Sequence, residues 1–221
     1  MNEVIFGTVK SYTDLGMILD EDGVELGSPE PKRTLVDIMG MNGSLDLTPT
    51  ISEEIRYKNR TIVLTFNVVD YQRRWQTVFS AIMNQIHGQN FNVTIEPDTD
   101  YYWDAFCIVN TNKSKKNKGT IVVKLDADPF KYKKTETTVS ITCTNTSGTN
   151  KTITNGKAPV MPTFRAQSTG MSVKFGNVTH ALTRNTDMQF DDIVFGSGNN
   201  TITILGTSNG VVKVTFREGM L

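Results

Sequence analysis

Residues 61–68 read TIVLTFNV, and this short stretch decides the fold of the first half of the chain. Apolar side chains occupy every second position from Ile62 to Val68, so one face of the segment is wholly apolar. A period of two is typical of a β-strand that lays one face on a hydrophobic core. The sequence therefore predicts a sheet strand here, with the core on one side.

Two further segments extend this interpretation. Residues 120–125 (TIVVKL) repeat the alternation, and residues 101–109 (YYWDAFCIV) are rich in the aromatic and β-branched residues that strands favour. Between them, residues 113–119 (KSKKNKG) have the composition of a turn. The three pieces together predict a long β-hairpin.

One segment has the helical period instead. From residue 75 onward the apolar residues recur at i, i+3, i+4, i+7, i+8 and i+11, the spacing of an amphipathic helix. We predict a helix that begins near Tyr71 and ends at His87 and Gly88, because glycine readily takes the left-handed conformation that closes a helix. The candidate core residues of this helix are Trp75, Phe79, Ile82 and Ile86.

Residues 14–50 are irregular, with many Gly and Pro and only short apolar pieces such as TLVDIM at 34–39. This composition favours an extended arm or hairpin, whose backbone groups can pair with a neighbouring chain. Residues 20–23 (DEDG) favour an acidic hairpin tip over a calcium loop, because no Glu stands at the twelfth position. The candidate interface residues of the arm are Pro29, Pro31, Lys32, Leu35, Ile38 and Met39.

The composition changes near residue 134. Residues 135–221 are rich in Thr, Asn and Gly, and their only aromatic side chains are Phe. Short β-branched runs such as VVKVTF at 211–216 alternate with turn sequences such as GSGNN at 196–200, a pattern typical of a β-sandwich. We therefore predict a mainly β protein with two domains, 1–134 and 135–221.

Charge, hydropathy and cysteine content exclude several classes of protein. The 221 residues hold 23 Lys and Arg against 23 Asp and Glu, whereas a free-standing nucleic-acid binder usually carries an excess of positive charge. No apolar run approaches the roughly 20 residues that span a bilayer, and the N-terminus lacks the layout of a signal peptide, so we expect no membrane partner. Cys107 and Cys143 show neither a disulfide framework nor zinc-site spacing.

Residues with catalytic potential are few. The common hydrolase, metalloprotease and nucleotide-binding motifs are missing from the sequence. His87 and His180 lie far apart in sequence, and Asp98, Asp100 and Asp104 fit solvated loop acids better than a pair of catalytic carboxylates. We therefore expect no enzyme activity, no catalytic residues, no metal and no cofactor.

A series of short motifs resembles the distal tail proteins (the Dit family) of bacteriophages and prophages with long, non-contractile tails, chiefly of Gram-positive hosts. The motifs of the first domain are PEPKR at 29–33, IMGMNGSLD at 38–46, YKNR at 57–60, IHGQ at 86–89, YYW at 101–103 and LDADPFKYK at 125–133. The second domain, through GNNTITI at 198–204 and VTFR at 214–217, is similar to the galectin-like sandwich of that family.

The resemblance implies a fold and a function. The fold would be an N-terminal β-sandwich-like, ring-forming domain with one α-helix and an extended arm, followed by a C-terminal galectin-like β-sandwich. The function would be that of a structural hub: a homo-hexameric ring at the distal end of the tail tube, with DNA only as passing cargo. Its partners would be the tail tube protein and the tail-tip, tail-associated lysin or receptor-binding proteins. Its place would be the distal tail tip of the virion, and the host cytoplasm during assembly.

The main alternative is a carbohydrate-binding module for adhesion to the host cell surface, with the second domain as the working part. Sugar sites usually present an exposed aromatic platform with polar groups around it. Residues 135–221 contain no Trp or Tyr, and their Phe side chains fit a core. A tail-tip lysin is a third, weaker hypothesis, because no catalytic constellation supports it.

Overall fold

The strand predicted from the period-two pattern lies at Arg60–Val69, inside an antiparallel sheet. The computed structural model describes residues 3–51, 55–69, 74–115, 118–144 and 147–221. It divides into two compact units, Met1–Lys131 and Tyr132–Leu221. Each unit has a hydrophobic core of its own.

The elements of the first unit in chain order are β1 (Val4–Phe6), β2 (Val9–Lys10), β3 (Met17–Leu26), β4 (Leu35–Asp37), β5 (Ser44–Asp46), α1 (Thr48–Ile51), β6 (Arg60–Val69), α2 (Trp75–Ile86), β7 (Gln89–Ile95), β8 (Tyr101–Lys115) and β9 (Lys118–Ala127). Seven of the strands lie side by side in the main sheet, in the order β2-β1-β7-β8-β9-β6-β3, and β4 and β5 form a separate two-stranded hairpin.

The main sheet curves around its own core. The alternating residues of β6 are fully buried, and Phe66 contacts Phe6 of β1 with ring centroids 6.4 Å apart. Since β7, β8 and β9 separate these two strands in the sheet, only a curved sheet brings the two rings together. Helix α2 packs on the same core through Val78, Ile82 and Ile86. The predicted mainly β fold with a helix on one sheet face is confirmed.

The predicted hairpin is present, but its strands are longer than expected. Strands β8 and β9 pair from Ala105↔Ala127 to Lys115↔Lys118, so they run through most of the lysine-rich segment that was predicted as the turn. Residues 116 and 117 lie outside the described residues. Helix α2 begins at Trp75, and the predicted start near Tyr71 also lies outside the described residues.

The predicted arm at residues 14–50 is too long, because its first part belongs to the main sheet. Strand β3 pairs with β6 and buries Met17 and Leu19. Residues 20–23 are not a hairpin tip: the pairing passes from Leu19↔Phe66 to Val24↔Leu64, so these residues bulge out opposite Thr65. A Cβ on Gly23 would lie 2.5 Å from the Thr65 carbonyl oxygen, which explains why glycine stands at the close approach.

The second unit is a β-sandwich, as predicted. Its two four-stranded sheets have the orders β11-β18-β13-β16 and β12-β17-β14-β15, and the apolar core lies between them. Strands β10 and β19 pair with each other. The strands are β10 (Lys131–Lys133, which begins at the boundary), β11 (Thr137–Thr142), β12 (Thr149–Asn155), β13 (Thr163–Ala166), β14 (Met171–Phe175), β15 (Val178–Leu182), β16 (Asp187–Met188), β17 (Gly198–Leu205), β18 (Val211–Phe216) and β19 (Gly219–Met220).

Candidate subunit-interaction arm

Beyond β3 the chain continues as an arm, which we define as residues 27–47. The base of the arm runs beside residues 56–61 and is held there by backbone hydrogen bonds. These bonds run from Gly27 N to Thr61 O (2.9 Å), from Lys58 N to Glu30 O (2.8 Å) and from Lys32 N to Arg56 O (2.7 Å). The base of the arm therefore extends the β3–β6 pairing as an irregular ladder, which fixes where the arm leaves the sheet.

The outer part of the arm is the β4–β5 hairpin. Its register is Leu35↔Asp46, Val36↔Leu45 and Asp37↔Ser44. Residues 38–43 form the turn, in which Gly40 and Gly43 have φ values of +86° and +80°. Such angles favour glycine, because a Cβ would clash with the backbone. An isolated two-stranded hairpin is marginally stable in water, so this one needs additional bonds.

Polar side chains supply those bonds. Asp46 accepts hydrogen bonds from Nε and Nη2 of Arg33 at 3.0 and 2.8 Å, and from the backbone N–H of Thr48 at 3.0 Å. Ser44 Oγ donates to Asp37 Oδ1 at 2.6 Å. The hydrogen bonds from Thr48, and then that from Arg33, lower the pKa of Asp46 to about 2. At neutral pH the carboxylate is charged and ties Arg33, just before β4, to β5 and to the chain that follows.

The arm exposes apolar side chains on both strands and on the turn. We call these residues the apolar set: Leu35, Val36, Ile38, Met39, Met41 and Leu45. Their exposed fractions range from 39% at Leu45 to 102% at Met39, and a 102% exposure means that none of the described residues shelters Met39. A cluster of exposed apolar side chains on a hairpin is typical of a surface that another molecule covers.

The six predicted interface residues fall into two groups. Leu35, Ile38 and Met39 belong to the apolar set. Pro29, Pro31 and Lys32 lie at the base of the arm, where Pro31 forms an isolated bridge with Tyr57. Within this second group, Pro31 and Lys32 take part in the backbone pairing that holds the base of the arm.

Sequence reasoning missed Val36, Met41 and Leu45 as members of the apolar set. It also missed the Arg33–Asp46 ion pair (2.8 Å), which stabilises the hairpin. The strands of this hairpin have three residues each, too few to show a period. The turn glycines on either side of Met41 and Asn42 were the available signal for a hairpin at this place.

The candidate helix residues lie in the core of the first unit or pack against it. Ile82 and Ile86 are buried, and Trp75 and Phe79 are partly buried, with their rings stacked at 6.1 Å. A Cβ on Gly119 of β9 would meet the Trp75 indole, so this ring lies directly on the glycine. These residues therefore anchor the helix to the sheet.

Both histidines have structural partners, and Cys107 is buried. His87 Nδ1 accepts a hydrogen bond from Val109 N at 3.1 Å. His180 Nε2 lies 2.8 Å from one carboxylate oxygen of Asp192, and its ring stacks on Phe190 at 4.1 Å. Burial raises the pKa of Cys107 to about 12, so this thiol is not a nucleophile at neutral pH. Within the described ranges, no group of three or more His, Cys, Asp and Glu side chains could hold a metal ion.

The helices of the described residues are also too short or too polar to pass through a membrane.

These features define a class of protein: an antiparallel β protein in two units, with a helix-covered curved sheet, a projecting hairpin arm and a β-sandwich. The same fold occurs in the crystal structure of phage SPP1 Dit (gp 19.1), which is described as a paradigm of the hub adsorption apparatus in phages that infect Gram-positive bacteria. The TM-score is 0.68 over 100% of both chains, at 14% sequence identity. No family model and no curated protein matches the chain. The resemblance predicted from the sequence is thus confirmed at the level of the fold.

Proposed function

We propose that the chain is a phage tail hub protein that acts as a homo-hexameric ring at the distal end of the tail tube. The first domain forms the ring, the galectin-like domain follows it, and the predicted boundary at residue 134 is part of this proposal. The observation that carries the proposal is the apolar set, which is exposed on a hairpin that is already folded. The full-length likeness to SPP1 Dit supports it.

The arm supplies a contact of the kind that closes a ring. In a head-to-tail assembly each subunit places one surface on a different surface of its neighbour, and a rotation that closes gives a ring. We propose that the arm of one copy lies on the first domain of the next. Every subunit then donates one arm and receives another.

The energetics favour cooperative assembly. Full burial of a large apolar side chain contributes about 1.5–3 kcal/mol. Apart from the fully exposed Met39, the members of the apolar set are about half exposed before assembly, so on average each contributes about 1 kcal/mol. Their gross contribution of about 6 kcal/mol lies near the low end of the ~4–15 kcal/mol that association costs in lost motion. A single interface is therefore weak, while a closed ring, in which each subunit makes two interfaces, is favoured at high concentration.

The ring connects the tail tube protein to the tail-tip, lysin or receptor-binding proteins, and DNA passes through its opening. The formal net charge of zero supports a passive channel, because binding of phosphates by a strongly basic surface would retard the genome. The protein acts without enzymatic chemistry at the distal tail tip of the virion, after assembly in the host cytoplasm.

The carbohydrate-binding alternative receives less support. Hydroxyl and amide groups on β12 and β17 bond to each other across the strands: Thr152 with Thr201 (3.2 Å), Thr154 with Asn199 (2.8 Å) and Thr203 with Asn150 (2.7 Å). Residues 135–221 have no Trp or Tyr to stack on a sugar ring. Saturable heat in a calorimetric titration with host wall polysaccharide would favour the alternative.

Light scattering coupled to size exclusion tests the arm. The double variant Val36→Ser/Ile38→Ser should shift assembly to at least about tenfold higher concentration, because it removes roughly 1.4 kcal/mol or more per interface. A matched control is Met161→Ser/Val194→Ser, whose side chains are 45% and 39% exposed, against 41% and 45% for the arm pair. A strict monomer at high concentration contradicts the ring, and equal behaviour of the two variants contradicts the role of the arm.

A further inference from the structure

The sequence contains three Asn-Gly pairs, at 42–43, 155–156 and 209–210. In such a pair the backbone nitrogen of glycine can attack the side-chain carbonyl carbon of asparagine, because glycine has no side chain to hinder the approach. The nitrogen loses its proton, the new C–N bond closes a succinimide ring, and ammonia leaves. Water then opens the ring to aspartate or isoaspartate, so the net change is an amide plus water to a carboxylate plus ammonium.

The pair in the arm is open to this reaction. Asn42 and Gly43 are both exposed, in the turn between β4 and β5. Gly43 has φ +80°, and nothing lies within 4 Å of the position its Cβ would take. Among the described residues, neither the Asn42 side chain nor the Gly43 N–H makes a hydrogen bond. The side chain and the attacking nitrogen are therefore free to adopt the reactive geometry.

The other two pairs are held by the second unit. Asn209 is exposed, but Gly210 is buried and its N–H donates to Thr207 O at 2.9 Å. Asn155 is 5% exposed, and its Nδ2 donates to the carbonyl oxygens of Ala158 and Phe195 at 2.8 and 3.2 Å. In Asn209-Gly210 the backbone nitrogen that would attack is hydrogen-bonded. In Asn155-Gly156 the asparagine side chain that would be attacked is held by its own hydrogen bonds. The same chain thus contains two internal controls.

We propose that Asn42 is an intrinsic deamidation site of the arm, and that its modification weakens assembly. The product carboxylate lies in the same turn as Ile38, Met39 and Met41, which belong to the apolar set. Burial of an unpaired charge in an apolar interface is unfavourable. Isoaspartate also adds a methylene to the backbone of the turn. The effect on assembly rests on the proposed function, while the site itself does not.

Peptide mapping by mass spectrometry tests the site. The folded chain is incubated at mildly alkaline pH, and aspartate and isoaspartate are quantified at each pair. Asn42 should react about tenfold faster or more than Asn155 and Asn209, because these two require local opening of the sandwich. In urea the three rates should converge. Equal rates in the folded protein, or a slower rate at Asn42, would overturn the proposal.

A pair of variants tests the consequence for assembly. Asn42→Asp carries the product charge, and Asn42→Ser keeps a small polar residue in the turn that cannot deamidate. The Asp variant should need at least about tenfold more protein than the Ser variant to assemble, consistent with an unpaired charge at the interface. Equal assembly of the two variants would refute the effect on assembly. If no variant or wild-type sample forms a ring, the proposed function fails, and the ranking of the three Asn-Gly sites still decides whether the site exists.

Discussion

The contact between Trp75 and Gly119 offers a stringent test of how α2 lies on the sheet. Three indole carbons of Trp75 lie 2.0, 2.2 and 2.5 Å from the position that a Cβ on Gly119 would take. Non-bonded carbons are normally about 3.5–4.0 Å apart, so Gly119→Ala must displace the indole. The backbone of Gly119 is not in the left-handed region, so alanine itself causes no backbone strain there.

The size of the effect follows from the partial burial of Trp75. Overpacking of this kind costs about 1–3 kcal/mol. Trp75→Ala should cost a similar amount, about 1–3 kcal/mol, because the ring is only partly buried and the 3–5 kcal/mol typical of large aromatic truncations applies to a full core position. In the Trp75→Ala background the alanine at position 119 fits, so its cost should vanish. The double-mutant cycle should therefore give a coupling energy of about 1–3 kcal/mol.

Urea denaturation measures these differences. Trp103 is buried in the first unit and is present in every variant, and residues 135–221 contain no Trp, so its fluorescence reports on the first unit alone. Circular dichroism of each variant checks that the fold is retained. An equal cost of Gly119→Ala in both backgrounds would refute the proposed packing of α2, as would a cost below about 0.5 kcal/mol in the wild-type background.

Two further predictions concern titratable groups. The folded pKa of Asp46, about 2, lies below its unfolded value of about 3.9. The charged carboxylate therefore stabilises the arm fully above roughly pH 4, and this stabilisation is lost as the pH falls through 2. The amide resonance of Thr48 should report this titration, and Asp46→Asn should abolish it; an unchanged profile in Asp46→Asn would contradict the assignment. For Cys107, whose pKa burial raises to about 12, an alkylating reagent at neutral pH should react only after unfolding, and native labelling at the unfolded rate would show that the thiol is accessible.

The main elements of the first unit could be predicted because their periods report burial directly. Strand β6 buries every second residue, from Ile62 to Val68. The helical period likewise predicts Trp75, Phe79, Ile82 and Ile86 on the face of α2 that meets the sheet; Ile82 and Ile86 are buried there together with Val78, and Trp75 and Phe79 are partly buried. In both elements one face is covered and the other is not, so the apolar spacing alone reveals the geometry.

The bulge of β3 could not be predicted from local sequence. Residues 20–23 have turn composition, and a turn is the ordinary interpretation of such a segment. Their conformation depends instead on Leu19 and Val24, which pair with Phe66 and Leu64, at least forty positions away. Long-range pairing of this kind leaves no local period.

The exposure of the apolar set could not be predicted from the sequence either. Leu35, Val36 and Leu45 have the chemistry of core residues, and apolar spacing does not say what covers a side chain. Their exposure follows from the anchoring of the arm, because the base of the arm is bonded along residues 56–61 and the hairpin lies beyond it. The structure was needed to separate the members of the apolar set from the proline and lysine residues at the base of the arm.

The polar bonds of the arm have a thermodynamic role in the assembly that we propose. A disordered arm would lose conformational entropy on docking, at a cost of about 1–2 kcal/mol for each residue it orders. The Arg33–Asp46 pair and the Ser44–Asp37 bond hold the hairpin in one shape before any partner arrives. The modest free energy gained by burying the apolar set can then favour association, because little of that gain is needed to offset the conformational entropy lost when the arm is ordered. A change that loosens the hairpin without touching an apolar residue should therefore weaken assembly as effectively as a change in the apolar set itself.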